Sequence, residues 1–187
     1  LAHVTVLEVY VGASKSPKES LDRAEELAKK ALALDDSNFY PYVVLSLTYR
    51  FKKQFDKAIP PAEKAVALSP NSALACFMLG AALLGSERFE EAIPYFTKSL
   101  RLSPIPVHSQ VLGLLAHSYS MLGQYEEAIV TYKKVLQIYG PDHLMAHLDL
   151  AITYAYMDRE KEARAAGAEV LRIDPKFSVE RFIKGLP

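Results

Sequence analysis

The chain has 187 residues, half of them apolar, and its 22 Lys plus Arg are balanced by 22 Asp plus Glu. That length suits one compact domain or one short repeat array with a sizeable core, and the zero net charge excludes the basic footprint of a nucleic-acid binder. The longest apolar stretch, residues 73–85, is 13 residues long, short of the roughly 18 or more that a membrane span needs.

The elements follow a repeated phrase: an aromatic or apolar residue, two further residues, an alanine, and a helical run ending near proline. A first helix is predicted over residues 1–14, with Val11-Gly12 in its small-residue slot, although Val4, Val6, Val9 and Val11 weaken it. Its partner opens on Leu21-Asp22-Arg23-Ala24. The second repeat reads Tyr42, Leu45-Ser46 and Tyr49, then Phe55-Asp56-Lys57-Ala58, Ala62 and Pro70. The third reads Leu79-Gly80 and Leu83, then Phe89-Glu90-Glu91-Ala92, Phe96 and Pro104. The fourth reads Leu115-Ala116, Tyr119 and Gly123, then Tyr125-Glu126-Glu127-Ala128, Tyr132 and Pro141. The fifth reads Leu150-Ala151 and Tyr154, then Glu160-Lys161-Glu162-Ala163 and Pro175. After it, Ser178 is expected to cap a short helix over 178–184, stopped by Gly185 and Pro187, that covers the last repeat through Phe177, Phe182 and Ile183.

The alanines Ala24, Ala58, Ala92, Ala128 and Ala163 step by 34, 34, 36 and 35 residues. With Gly80, Ala116 and Ala151 they are read as small because the first helix (A) and second helix (B) of a repeat approach closely there. One repeat cannot bury its apolar face alone, so stacking makes one continuous core. Pro60-Pro61 and Pro94 fall inside B helices; Pro60 and Pro94 share one repeat position, which predicts a shared bend near the helix start. Two extra residues around Ile105-Pro106-Val107-His108 predict a longer connecting loop.

A step of 34 to 36 residues with these small and aromatic positions resembles the tetratricopeptide repeat family. The likeness covers roughly residues 5 to 184. It implies an all-α, right-handed superhelical solenoid of about five helix-turn-helix repeats plus a C-terminal capping helix. The repeats lie at about 5–38, 39–72, 73–106, 109–143 and 144–177, within a single domain over 1–187. No repeat carries the tryptophan that often opens the pattern; Tyr42, Cys76, Leu112 and His147 stand there, and His147 fits least well.

In this family the concave wall is lined by fixed A-helix positions. Carried over, these give Val43, Leu47, Arg50 and Phe51 from the second repeat, and Leu74, Phe77, Met78 and Leu84 from the third. Leu114, His117 and Met121 come from the fourth, and Leu148, Asp149, Ile152 and Tyr156 from the fifth. The co-chaperone branch uses Lys, Asn and Arg on this wall to clamp acidic chaperone tails. Here the positions are mainly Val, Leu, Phe and Met, which argues against such a tail. An apolar groove with methionines suits an apolar or amphipathic protein segment. Tight curvature would instead close the wall into ordinary core, and position alone leaves both readings open.

The candidates for chemistry are few. His143 and His147 have the i, i+4 spacing of a metal pair but no third ligand fixed by sequence, so they are read as a helix start and a packed side chain. His117 has no Ser or Cys placed to make a nucleophile pair with it. The lone Cys76 sits in a core slot, excludes an internal disulfide and suits a reducing, cytoplasmic setting. Glu25-Glu26, Glu90-Glu91 and Glu126-Glu127 are placed at B-helix starts, where negative charge complements the helix dipole. There is no phosphate-cradling glycine loop. The residues predict no catalytic site, cofactor or metal, and a protein or peptide segment as partner, with a second copy of the chain as the other candidate.

A narrower likeness rests on Ser20-Leu21-Asp22-Arg23-Ala24, Lys30-Ala31-Leu32-Ala33-Leu34-Asp35, and the ending Asp174 to Phe182. These are similar to repeat regions following class III nucleotide cyclase or DNA-binding modules in bacterial signalling proteins. That likeness implies a regulatory or self-associating arm of a larger enzyme. The start at Leu1 without methionine, and with no signal peptide, fits a fragment of a longer chain.

Overall fold

The computed structural model describes residues 2–10, 12–103 and 109–181. They form helices and connecting turns, with no strand among the described residues. The chain divides into two compact bodies, Leu1–Val107 and His108–Pro187. The first holds α1 (Ala2–Tyr10), α2 (Pro17–Leu34), α3 (Phe39–Phe51), α4 (Phe55–Leu68), α5 (Ala73–Gly85) and α6 (Phe89–Leu102). The second holds α7 (Ser109–Met121), α8 (Tyr125–Tyr139), α9 (Leu144–Tyr156) and α10 (Glu160–Ile173). In each body consecutive helices pair as hairpins, so odd-numbered helices are A and even-numbered ones B.

The starts of α3, α5 and α9 follow from their capping residues. Asn38, Ser72 and His143 accept hydrogen bonds from Tyr40 N, Ala75 N and Ala146 N, satisfying donors that have no partner within the helix. Each described A-to-B turn closes in the same way. The amides of Gln54, Arg88, Gln124 and Arg159 reach back to the carbonyls of Tyr49, Leu83, Tyr119 and Tyr154 at 2.8 to 3.0 Å. This wrap needs a left-handed residue just before the donor. Lys53, Glu87, Gly123 and Asp158 hold that position, with φ of 56°, 58°, 74° and 56°. Of these four only the fourth repeat uses glycine; in the first repeat Gly12, with φ of 70°, precedes Ala13, whose amide reaches the Glu8 carbonyl at 2.8 Å. Because a side chain strains this conformation, Glu87→Gly is expected to stabilise the chain by about 0.5–1 kcal/mol. A thermal melt in which that variant unfolds no later than the parent would refute the strain.

The packing carries the repeat pattern. Ala24, Ala58, Ala92 and Ala128 are fully buried, and a Cβ on Gly80 would stand 2.9 Å from the ring of Phe96. Helices α5 and α6 therefore close on one another through the Gly80 gap. In the first body, Val6, Leu21, Ala24, Ala28, Val44 and Leu45 make one core cluster. In the second, Ala116, Ala128, Ile129, Tyr132, Leu150 and Tyr154 do the same with Ala166.

Three expectations change. Helix α1 ends at Tyr10, four residues before the predicted boundary, and Gly12 (φ 70°) lies in the turn that closes it. Gly12 is thus a helix stop, not a close-approach residue; Val11 lies outside the described residues. Helix α2 begins early, at Pro17, because proline suits a first turn whose N–H groups are unpaired anyway. Glu25-Glu26 consequently fall inside α2, away from its positive end, whereas Glu90-Glu91 and Glu126-Glu127 do occupy first turns. Glu25 instead ties α2 to α3. It accepts from Lys29 and Lys52 at 2.6 Å each and from the Tyr49 hydroxyl at 3.1 Å, and these hydrogen bonds, Lys29 first, hold its carboxyl at about 2.

The prolines do not interrupt their helices: α4 runs through Pro60-Pro61 and α6 through Pro94, with Pro60 and Pro94 exposed. The insertion at Ile105, Pro106, Val107 and His108 lies outside the described residues, as do Phe182, Ile183, Lys184, Gly185 and Pro187. Ser178 does cap the turn that follows α10, accepting from Arg181 N at 3.1 Å.

Candidate partner-binding wall

Within the first body the A helices α1, α3 and α5 contact one another, while the B helices α2, α4 and α6 do not. The same holds for α7 and α9 against α8 and α10, with Ser120 Oγ and Thr153 Oγ1 meeting 3.4 Å apart across α7 and α9. An arc whose A helices touch and whose B helices splay has its inner side on the A layer. The predicted wall residues lie on these A helices.

The two bodies treat those residues differently. In the first, Val43, Phe77 and Met78 are buried, and Leu47, Arg50, Phe51, Leu74 and Leu84 are partly buried. Leu47 and Phe51 pack on the N-terminal core cluster, and the Phe77 ring sits 6.3 Å from that of Phe96 on α6. Here the wall is largely closed: α3 has an A helix on either side, and on α5 Phe77 packs beside α6. In the second body α9 has only α7 beside it among the described residues. Its side chains stay open: Met145 is 39 % exposed, Ile152 45 % and Tyr156 66 %, and Met121 on α7 is 54 % exposed. Leu114, His117, Leu148 and Asp149 are partly buried between them. Tyr156 stacks flat on Tyr125, with centroids 5.9 Å apart.

Two charged groups on this layer lack compensation. The Arg50 Nε is sealed from solvent with no acceptor among the described residues, and burial brings the guanidinium down to about 10. Among the described residues Asp149 has no cation within ion-pair distance, and burial raises its carboxyl to about 6. Its negative charge is felt by Tyr132 on α8, whose hydroxyl is pushed up first by its own burial and then by Asp149. Burial also lowers His117 from its ordinary value.

Residues 107–176 match the tetratricopeptide repeat family, and residues 51–135 match the family of anaphase-promoting complex, cyclosome, subunit 3. Among solved structures, MamA is similar at 25 % identity and a TM-score of 0.75, covering 93 % of this chain and 97 % of its own. The chain has the tetratricopeptide repeat fold, and that family's model matches residues 107–176. YrrB, described as a TPR protein with an unusual peptide-binding site, shares the fold at 23 % identity and a TM-score of 0.74, over 99 % of this chain and 90 % of its own. PilW, described as a type IV pilus biogenesis factor, does so at 21 % identity and 0.82, over 98 % and 82 %. None of the curated proteins matches the chain by sequence.

The tetratricopeptide repeat fold accounts for the remaining candidates. His143 is the N-cap of α9, its Nδ1 accepting from Ala146 N at 3.2 Å, so it is occupied as a cap. His147 is buried in the slot often held by tryptophan, with Nε2 2.7 Å from the Pro141 carbonyl. A carbonyl only accepts, so that nitrogen carries the proton. α9 is regular despite the substitution. Cys76 is buried, and desolvation raises its thiol above the usual range. No helix among the described residues is long and apolar enough to cross a membrane.

Two features of this tetratricopeptide repeat chain escape a reading by position. Gly85 belongs to a wall position, yet a Cβ there would overlap the ring of Phe55, so its role is to seat α4 against α5. An apolar cleft of about 370 Å³ also lies between α1, α2 and α3, lined by residues that include His3, Leu27, Ala31, Leu34 and Tyr40.

Proposed function

We propose that the chain is a non-catalytic interaction module that takes an apolar or amphipathic protein segment on its A-helix layer, and takes it principally on α9. The observation carrying this is the run of exposed Met145, Ile152 and Tyr156 on one helix face, continued by Met121 on α7. Large apolar side chains grouped on one inner face mark an interface more than scattered ones do, and methionines let such a face adapt to its occupant. The description of YrrB as peptide-binding is consistent with this use of the fold. The weight rests on this chain's own surface.

The test is selection from a displayed random-peptide library. Wild type is expected to enrich apolar or amphipathic peptides. The Ile152→Ser/Tyr156→Ser variant should lose them, while Val130→Ser, which changes an equally exposed residue on α8, should keep them. Equal loss in both variants, or no enrichment by wild type, would defeat the assignment. The alternative is a regulatory or self-associating arm of a larger enzyme such as a nucleotide cyclase. Sedimentation decides its self-associating form, since a monomer at every concentration removes it.

A further inference from the structure

We propose that Asp149 sets which segment binds: the open face of α9 takes an apolar stretch of a partner protein that carries one lysine or arginine, and this cation pairs with the Asp149 carboxylate. The inference rests on the interaction role proposed above and adds the chemistry of the occupant. Met145, Asp149, Ile152 and Tyr156 are spaced by four, three and four residues, which puts them on one helical face. Asp149 thus stands within an exposed apolar row, flanked by Met145 on one side and Ile152 on the other.

Among the described residues the other acids that are not exposed, Glu25, Glu162, Glu169 and Asp174, all carry an ion pair, and Asp149 does not. Near α9, Asp142 pairs with Arg172, and Glu126 and Glu162 pair with Arg159. Among the described residues Asp149 has neither an ion pair nor a hydrogen bond to its carboxylate, and its charge acts on Tyr132. In the free protein, water on the open face still solvates part of the charge. Docking an apolar segment would remove that water, and a segment without a cation would then bury a bare carboxylate. A segment with lysine or arginine at this register replaces the water by an ion pair shielded by Met145, Ile152 and Tyr156. One acid therefore favours a cation-bearing segment and rejects purely apolar or acidic ones.

Parallel peptide selections on wild type and Asp149→Asn test this, with a thermal melt confirming that both are folded. Wild-type peptides are expected to be apolar with one Lys or Arg at a fixed register. Replacing that cation by Gln should weaken binding to wild type by about tenfold or more and leave binding to Asp149→Asn nearly unchanged. Apolar peptides with no fixed cation, or an equal loss on both proteins, would overturn the role of Asp149 and leave the interaction module standing. No enriched peptide at all would overturn both. A dimer of the chain that dissociates on Tyr156→Ser would give the face to a second copy and overturn the assignment to a partner segment.

Discussion

Phe96→Ala is expected to destabilise the chain by about 3–5 kcal/mol, in the range for removing a fully buried aromatic ring. The Phe96 ring has no exposed surface and faces the Cα of Gly80 on α5, with Phe77 beside it. Taking it away leaves a void between α5 and α6 that rigid helices cannot close. Gly80→Ala attacks the same contact from the other side. Its Cβ would fall 2.9 Å from two ring carbons and 3.3 Å from the Ala92 carbonyl oxygen, so overpacking should cost about 1–3 kcal/mol. Because the two residues touch, the effects should not add. In the Phe96→Ala background the new methyl group meets less resistance, and the coupling should be at least about 0.5 kcal/mol. Repeats contact mainly their neighbours, so the loss can unfold one region before the rest. Hydrogen exchange of the α5 and α6 amides, run beside a denaturant melt, reads it locally. A cost below about 1 kcal/mol, or strict additivity, would show that the Phe96–Gly80 contact does not hold α5 to α6.

The repeat was legible because it is local chemistry. An alanine that must let two helices touch recurs in each repeat, and a proline follows the B helix at Pro70, Pro104 and Pro175 and one residue late at Pro141, though not in the first repeat. Four of the five anchor alanines are fully buried and Ala163 is partly so. Boundaries that depart from the period were not legible in the same way. The early start of α2 at Pro17 and the stop at Gly12 come from residues peculiar to the first repeat, and they move Glu25 from a helix start into an ion-pair cluster with Lys29 and Lys52. The wall shows a second limit. Ala81 and Ile152 hold the same position in their repeats, yet Ala81 is buried and Ile152 is 45 % exposed. Among the described residues each lies on a helix with one A-helix neighbour, α3 beside α5 and α7 beside α9, so the difference follows the side chain's own length and how closely that neighbour packs, which the repeat position does not encode. For Arg50 the repeat position marks a wall residue but does not say that its Nε is buried without an acceptor among the described residues.

Asp149→Asn should stabilise the chain at neutral pH, by roughly 1–3 kcal/mol once partial exposure is allowed for. Burial raises the Asp149 carboxyl from its ordinary 3.8 to about 6, so the folded chain holds that proton more tightly than the unfolded chain does. The sign follows by linkage. Below about pH 4 the side chain is protonated in both states and the charge exerts no penalty. Between about 4 and 6 the unfolded chain ionises first, and the penalty grows. Above about 6 it is complete and no longer changes. The advantage of Asn over Asp should therefore be full at pH 7 to 8, shrink as pH falls through the 6 to 4 window, and vanish below it. Melting both proteins across that range measures the difference directly, and the other carboxylates cancel because they are common to both. A difference that is flat with pH, or that favours Asp, would mean that water still solvates the carboxylate fully and that α9 holds no strained charge. The expected curve instead describes a face that sacrifices stability to keep one uncompensated acid among apolar side chains, as sites shaped for a partner do.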